Sequence, residues 1–330
     1  MSRLQLSLGC WDYDRVGALA TGAVRPEGID LNVLSMPPED TFFRIMRHEE
    51  FDVAECSSAS FLVAHDRGRP RLTAIPVFMS RAFRHSCIFV NARAGIGKPE
   101  ELRGKRIGTP EYQLTANVWI RGLLQHEYGV SSADVRWFTG GQETPGRVEK
   151  MPLELPGEIR IESIGPDRTL NQMLDSGEID AFIGPRTPSC FTQGSPRVRR
   201  LFADYVSAEQ EYYRRTGIFP IMHLVAIRAE VLERYPWIAQ NLYRAFVEAK
   251  QRVYEGFDQT SALKVTLPWL QAEVERTRAL MGDDFWPYGV EKNRKVLAAL
   301  IDYAHEQGLI TRKPQVEDLF ARSTLETHVV

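Results

Sequence analysis

The sequence has few cysteines, little net charge and no long apolar run, and each shortage excludes a class of protein. Its 330 residues include 4 cysteines and give a formal net charge of -2 at pH 7. The cysteines are far apart and form no CxxC pair, which argues against a zinc site or a disulfide framework. The near-neutral charge predicts that neither nucleic acid nor an anionic membrane is a partner. No run of about 18 apolar residues occurs, so we expect no membrane span.

The beginning of the sequence shows no export signal. Residues 1–8 alternate polar and apolar side chains and are too short for the apolar region of a secretory signal peptide, so they predict a first strand instead. Scattered, unpaired cysteines fit a reducing compartment. Together these features predict a cytoplasmic protein.

The length and the order of predicted elements indicate a two-domain α/β protein. A chain of 330 residues exceeds what one hydrophobic core usually serves. The patterns predict strands at 4–10, 29–34 and 51–55, with helices at 15–21 and 38–47 between them. Such alternation is typical of a mostly parallel sheet with helices on its faces.

The later part of the chain continues in the same way and then becomes helical. A helix is predicted over 113–128 and ends at Gly129. Buried strands are predicted at 179–184 and 219–227. From residue 229 onward the pattern is mainly helical, including a helix over 259–281.

A cationic cluster lies beside two apolar segments. Arg81, Arg84 and His85 fall within five residues, between the apolar runs 72–79 and 87–90. Charges beside buried strands are costly unless they are paired, so the cluster predicts an anion pocket. Arginine binds carboxylates in a bidentate fork, and histidine transfers protons near neutral pH. The alternative is a set of structural ion pairs.

The two arginines can act together only if the backbone bends. At a spacing of three on an extended strand, Arg81 and Arg84 point to opposite faces. A joint carboxylate clamp therefore requires a bend at Phe83.

Two motifs resemble those of type II periplasmic binding proteins, namely LRGKRIG at 102–108 and LDSGEIDAFIG at 174–184. The resemblance implies a two-lobed fold, each lobe a mixed sheet flanked by helices, with a helical C-terminal part and the ligand held in the cleft between the lobes. The predicted lobes are 1–91 plus 219–330, and 92–218.

Within that superfamily, the whole chain resembles the 4,5-dihydroxyphthalate decarboxylase family. The resemblance rests on four motifs: SRAFRHS at 80–86, RIGTPEYQ at 106–113, FPIMH at 219–223 and WPYG at 286–289. It implies a cytoplasmic carboxy-lyase of aromatic compound catabolism, here phthalate degradation, that removes CO₂ from an aromatic diacid. It assigns no catalytic residue.

Such a decarboxylation needs a proton donor at the ring carbon, a group near the phenol and cations for the remaining carboxylate. His85, Glu111 and His223 are the predicted catalytic residues. Each has a structural alternative: His85 as a member of an ion-pair network, Glu111 as a helix cap, and His223 as a core histidine.

Ten residues on the loops predicted to face the ligand are candidates for substrate binding: Trp11, Ser57, Ser58, Arg81, Arg84, Thr109, Tyr112, Thr115, Thr187 and Trp286. Ser57 or Ser58 caps the helix that follows, and its amides bind an anion. Trp11 and Trp286 stack on an aromatic ring or belong to the core. Cys56, also near this helix start, is a less favoured nucleophile.

No metal-binding spacing such as HExxH occurs, so the predicted reaction needs no cofactor. A metal held by His85, His223 and Glu111 remains an alternative. The predicted partner is a small aromatic carboxylate, and a homo-oligomer is left open. The rival functions are a solute-binding protein of a transporter or sensor, and another small-acid lyase on the same fold.

Overall fold

The computed structural model describes residues 3–69 and 71–325. In these residues the strands, in chain order, are β1 (Leu4–Cys10), β2 (Ile29–Ser35), β3 (Val53–Ser57), β4 (Leu72–Arg81), β5 (Ile88–Asn91), β6 (Arg106–Thr109), β7 (Arg136–Thr139), β8 (Arg160–Ser163), β9 (Ala181–Ile183), β10 (Val198–Arg200) and β11 (Ile221–Arg228). The α-helices are α1 (Asp14–Ala20), α2 (Pro38–His48), α3 (Ser58–Arg67), α4 (Thr115–Tyr128), α5 (Leu170–Ser176), α6 (Ser189–Thr192), α7 (Tyr205–Thr216), α8 (Ala229–Arg234), α9 (Ile238–Phe257), α10 (Leu270–Met281) and α11 (Arg294–Glu306). The predicted α/β class with two mixed sheets flanked by helices is confirmed.

The chain divides into two compact units, each built from separate stretches of sequence. Unit 1 contains the chain up to Arg81, Ile221–Leu297 and the chain from Pro314. Unit 2 contains Ala82–Pro220 and Ala298–Lys313.

Unit 1 contains a five-stranded sheet in the order β2-β1-β3-β11-β4. β1 runs parallel to β2 and β3, whereas β11 is antiparallel to both β3 and β4. All five residues of β3 are buried, including its single acidic residue, Glu55. A carboxylate in the middle of the sheet therefore has to find its partners inside the protein.

Unit 2 contains a six-stranded sheet in the order β10-β5-β9-β6-β7-β8. β6 is parallel to β7 and β9, and β5 is antiparallel to β9 and β10. Helix α4 covers this unit, and ten consecutive residues from Thr115 to Leu124 are buried. Gly129 ends α4 in the left-handed conformation, as the sequence predicted.

The unit boundaries differ from those predicted. The segment 82–91 was assigned to the first lobe, but β5 pairs with β9 and β10 and so belongs to the sheet of unit 2. Ala298–Lys313 was also assigned to the first lobe and belongs to unit 2. There Tyr303 packs against Gly122 of α4. Hydrophobic pattern alone does not reveal which sheet a buried strand joins.

The predicted helix over 259–281 is also shorter in the structure. Its first half has no regular helix, and α10 begins at Leu270. Pro268 has no amide hydrogen to donate, and the neighbouring Val265 and Thr266 are β-branched, so this stretch is a poor helix former. Within 3–69 and 71–325, no helix is both long enough and apolar enough to cross a lipid bilayer.

Candidate functional site

The central feature of unit 1 is a histidine–carboxylate pair in the middle of its sheet. β3 and β11 are antiparallel neighbours, with Glu55 opposite Val225 and Ser57 opposite His223. Glu55 and His223 are therefore diagonal neighbours on one face of the sheet. Nδ1 of His223 lies 2.6 Å from Oε1 of Glu55.

Glu55 is fully buried, and three donors surround its carboxylate. The Tyr13 hydroxyl donates to Oε1 at 2.7 Å, and the Trp11 backbone N–H donates to Oε2 at 3.1 Å. Burial by itself would raise the pKa of Glu55, but the hydrogen bonds from His223, Tyr13 and Trp11 outweigh it and hold that pKa below its ordinary value. Glu55 is therefore ionised at neutral pH.

The ionised carboxylate fixes the tautomer of His223. A carboxylate can only accept hydrogen bonds, so the proton between the two groups lies on Nδ1. Nε2 is then the ring atom that exchanges a proton with another molecule. Phe42 packs on the imidazole in a T-shaped arrangement, with ring centroids 4.7 Å apart, and helps to hold its orientation.

Tyr13 is held on its other side by a layered arrangement of Arg15 and Trp286. The Arg15 guanidinium lies 4.1 Å from the Tyr13 ring centre and 4.4 Å from that of Trp286. Its Nε donates to the carbonyl of Met79 at 2.8 Å, which fixes the guanidinium against the end of β4. Burial, with Glu55 nearby, raises the pKa of Tyr13, so the phenol keeps its proton.

The start of α3 lies one residue beyond β3 and is suited to an anion. The Ser57 hydroxyl caps the helix by accepting from the Ser60 N–H at 3.5 Å, which confirms one of the two predicted caps. Ser58 is only 1% exposed, and its hydroxyl oxygen has no hydrogen-bond partner among the described residues. An unpartnered buried hydroxyl at a helix N-terminus is a ready donor for a carboxylate.

Two other unit 1 candidates have clear places. Trp11 is 46% exposed, and its backbone rather than its indole serves Glu55. Cys56 is buried in β3, and burial raises the pKa of its thiol, so it is not an activated nucleophile.

Arg81 does not present its guanidinium to a ligand, contrary to the predicted clamp. It is 5% exposed at the end of β4, and its Nη2 donates to the carbonyl of Pro287 at 2.9 Å and to the side-chain oxygen of Asn293. A guanidinium packed in this way anchors the 286–293 segment. Arg81 therefore has a structural role, but through a backbone carbonyl and a side-chain amide rather than through the predicted ion pair.

Arg84 follows the end of the strand. β4 stops at Arg81, and residues 82–84 have no regular structure, so the alternation of side chains along a strand does not extend to Arg84. The half-buried Arg84 places Nη1 3.6 Å from the Cys87 sulfur.

His85 lies in the interior of unit 2, which argues against its predicted role as proton donor. It is 2% exposed, with its ring edge-on to Phe202 and Tyr212. Burial, with a smaller effect of Arg215, lowers the pKa of His85 to about 4. The imidazole is neutral at physiological pH and has no spare proton to give.

Glu111 has structural partners rather than a free carboxylate. It is 1% exposed and binds Arg147 through two hydrogen bonds of 2.8 and 2.6 Å. Lys150 adds a backbone N–H at 3.2 Å. The predicted helix-cap alternative is also incorrect, because α4 begins at Thr115, four residues later.

The other candidates near α4 are packed into unit 2. The Tyr112 ring is fully buried under the Arg121 guanidinium, 3.7 Å from the ring centre, so it is not available to stack on a substrate. Thr109 is buried and accepts a hydrogen bond from Asn117 at 2.5 Å. Thr115 is buried at the first turn of α4. By contrast, Thr187 is exposed on the loop after β9.

The structure shows no cluster of three or more His, Cys, Asp or Glu side chains suited to a metal ion within 3–69 and 71–325. Cofactor independence stays a prediction.

The comparisons with known proteins agree with this fold and decide the family. A family model described as "ABC transporter, phosphonate, periplasmic substrate-binding protein" matches residues 28–144. A 4,5-dihydroxyphthalate decarboxylase of Comamonas testosteroni is 43% identical over 327 residues, which cover 99% of each chain. The chain belongs to the 4,5-dihydroxyphthalate decarboxylase family. The resemblance predicted from the sequence motifs is therefore confirmed.

A second member of the 4,5-dihydroxyphthalate decarboxylase family, from Pseudomonas putida, is 45% identical over 214 residues, covering 65% of this chain and 83% of that protein. Among solved structures, the periplasmic aliphatic sulphonate binding protein of Escherichia coli aligns with a TM-score of 0.55 and 12% identity, covering 98% and 99% of the two chains. This likeness confirms the periplasmic-binding-protein fold for this family member.

Sequence reasoning missed three residues of this decarboxylase-family site. Glu55 was predicted only as the last residue of a strand, and Tyr13 and Arg15 were not candidates. A signal for Glu55 was present, because it is the one acidic residue in the apolar run 53–57. A carboxylate in a buried strand requires a partner, and the histidine of a neighbouring strand is the natural one.

Proposed function

We propose that this protein is a carboxy-lyase that converts 4,5-dihydroxyphthalate to protocatechuate and CO₂, a step in the catabolism of phthalate-type acids. The proposal rests on one observation, namely 43% identity to a 4,5-dihydroxyphthalate decarboxylase over 99% of both chains.

The chemistry requires a proton at the carbon that carries the leaving carboxylate. That carboxylate is para to a hydroxyl, so protonation of the ring carbon gives an intermediate stabilised as a cyclohexadienone when the hydroxyl loses its proton. The carbon–carboxylate bond then breaks, CO₂ leaves, and its electron pair restores the aromatic ring. The hydroxyl proton passes to solvent water and is regained from it when the ring becomes aromatic again, so the net reaction takes up one proton at carbon for each carboxylate lost as CO₂.

His223 has the geometry for this proton transfer. Its Nδ1 is bound to ionised Glu55, so the proton delivered to the ring carbon comes from Nε2. Glu55 stabilises the positive charge that the imidazole of His223 carries before it gives up the proton. The Tyr13 hydroxyl and the Trp11 N–H keep Glu55 ionised and in place.

The carboxylate that remains on the product needs hydrogen-bond donors. These donors should not also stabilise the carboxylate that leaves as CO₂. The N-terminus of α3, with the unpartnered Ser58 hydroxyl, supplies hydrogen bonds and a positive dipole end without a full charge. Trp286 provides an aromatic face for the substrate ring. Binding both carboxylates tightly would stabilise the ground state and would not raise kcat.

We further propose that the reaction needs no metal or organic cofactor and takes place in the cytoplasm, with the small aromatic acid as the only required ligand. The four cysteines are all free thiols, which supports the location. Cell fractionation and activity in the presence of EDTA test these two points.

Incubating purified protein with 4,5-dihydroxyphthalate, and measuring released CO₂ and protocatechuate by chromatography, tests the function. Equal amounts of the two products are expected. Turnover of a different hydroxybenzoate or phthalate, but not of this one, would identify another small-acid lyase. Tight binding of an aromatic acid with no product from any of them would identify a solute-binding protein.

A further inference from the structure

Every polar group of Trp286 is bound within unit 1, which is unusual for a residue on a loop. Its backbone N–H donates to the Tyr254 hydroxyl at 2.9 Å, and its carbonyl accepts from Nζ of Lys250 at 3.0 Å. The indole N–H donates to the carbonyl of Phe78 at 2.8 Å. Three fixed points determine both the position and the rotation of the indole ring.

Lys250, on α9, is a buried cation. It is 7% exposed, and its second partner is Oδ1 of Asp284 at 2.5 Å. Asp284 is in turn bound by Tyr254 at 3.2 Å and by the exposed Lys292 at 2.8 Å. Burial lowers the pKa of Lys250, and Asp284 opposes that effect. Burying an ammonium group is costly unless it is paired, and here the Asp284 carboxylate and the Trp286 carbonyl are the partners that hold Lys250 in place.

The indole that Lys250 holds leads directly to the histidine–carboxylate pair. Trp286 lies against the Arg15 guanidinium, which lies against Tyr13, and Tyr13 donates to Glu55. A displacement of Trp286 would therefore remove the aromatic face and loosen the support of Tyr13. The contacts therefore run from Trp286 through Arg15 and Tyr13 to Glu55.

We propose that Lys250 is a positioning residue, which together with Tyr254 holds the Trp286 indole as the aromatic wall against which the ring of an aromatic dicarboxylate stacks. This inference rests on the proposed function and adds the residue that sets the fit for an aromatic substrate. Lys250 touches no substrate atom and acts only through Trp286.

A double-mutant cycle tests this dependence. Lys250→Met, Trp286→Leu and the double variant are compared by kcat and KM for 4,5-dihydroxyphthalate, and by the dissociation constant of phthalate in calorimetry. We expect each single variant to raise KM and the phthalate dissociation constant about three- to tenfold, with kcat changed less, because aromatic stacking contributes about that much. The double variant should bind no more weakly than Trp286→Leu alone.

Additive losses in the double variant would overturn the proposal, because they would show that Lys250 acts independently of Trp286. An unchanged phthalate affinity in Trp286→Leu would also overturn it. Lys292→Met is the matched control, since it removes a lysine from the other oxygen of the same Asp284, and its phthalate affinity should match the wild type.

If Lys250→Met does not fold, Tyr254→Phe takes its place, since Tyr254→Phe deletes one hydroxyl that binds both Trp286 and Asp284. The cycle is then run with that variant and is read in the same way. Phthalate binding also separates the two proposals. A wild-type protein that binds phthalate but releases no CO₂ from 4,5-dihydroxyphthalate would refute the decarboxylase function, while the phthalate dissociation constants of the cycle would still decide the role of Lys250.

Discussion

Nδ1 of His223 and Oε1 of Glu55 lie 2.6 Å apart, joining two neighbouring strands of one sheet through their side chains. The carboxylate is fully buried, whereas the histidine side chain is 19% exposed. The buried, ionised Glu55 thus supports His223, whose side chain is accessible to another molecule. This difference in exposure fits the proposed roles, with Glu55 as the supporting carboxylate and His223 as the proton donor.

Replacing His223 by glutamine should reduce kcat about 10²- to 10⁴-fold, because a general acid contributes about that much to a rate. KM should change less, since His223 is not the main binding group. The measurement is initial-rate CO₂ release at saturating substrate. His65→Gln, an exposed histidine on α3, is the control and should keep full activity. Retention of a tenth or more of the rate in His223→Gln would rule out its role.

Replacing Glu55 by glutamine keeps the volume of the side chain and removes its charge. We expect kcat to fall about 10- to 100-fold, because the imidazole keeps a neighbour but loses the stabilisation of its charged form. In the double variant with His223→Gln, the rate should be no lower than in His223→Gln alone, since the two residues act as a unit. Multiplicative losses would contradict that.

Arg81→Met should be a stability variant rather than a binding variant. It removes the donor to Pro287 and Asn293 from a buried site, which costs about 2–4 kcal/mol of unfolding free energy. Urea unfolding measures this loss, and calorimetry with phthalate measures binding. Unchanged stability with lost phthalate binding would restore the carboxylate clamp.

Replacing the half-buried Arg84 by Met should lower the unfolding free energy by less than about 1 kcal/mol.

His85 should make the protein less stable in mild acid. Its pKa falls from an ordinary 6.5 to about 4 on folding. Between these pH values the unfolded chain binds a proton that the native protein does not, so stability is lost as the pH falls from 6.5 towards 4. The loss reaches about 3 kcal/mol.

His85→Phe keeps a ring between Phe202 and Tyr212 and removes this titration. The difference in unfolding free energy between wild type and variant, measured in urea at pH 7 and pH 5, isolates the effect. This matters because burial raises the pKa of Glu149 to about 7, and that carboxyl acts in the opposite direction. A pH-independent difference would show that His85 is not buried in neutral form.

Gly122→Ala should destabilise the protein by about 1–3 kcal/mol, because the new methyl group would lie 2.0 Å from the Tyr303 ring. Gly17→Ala, in α1, is the matched control, since nothing lies within 4 Å of the added carbon. That change should stabilise the protein by about 0.5–1 kcal/mol through helix propensity. The two melting temperatures should therefore move in opposite directions.

The sequence predicted the local structure well where a physical signal was local. β1 has the predicted bounds, Ser57 is the cap of α3, and Gly129 ends α4. Caps and periodicity depend on nearby residues only, so they can be read without the fold. The family resemblance likewise rested on contiguous motifs such as residues 80–86.

The site was harder to predict because its members meet across the sheet. Arg81 and His85 are neighbours in a cationic sequence, yet one anchors a loop of unit 1 and the other is neutral inside unit 2. Glu55 and His223 are 168 positions apart, and only the pairing of β3 with β11 brings them together. The sequence reveals where charged residues cluster. Only the order of the strands in the sheet determines which charged residues meet a partner.

The division of the chain also determines when each unit can finish folding during synthesis. Unit 2 lacks the Tyr303 face of α4 until Ala298–Lys313 has been made, and unit 1 lacks Phe320, which packs on Phe78 and pairs with Ala74. Neither core is complete before the ribosome has added these late segments. Larger proteins usually fold domain by domain from the N-terminus during synthesis. This chain cannot, because neither unit is complete before the late segments are made. A premature stop near residue 298 would leave both cores open and expose the nascent protein to chaperones and proteases.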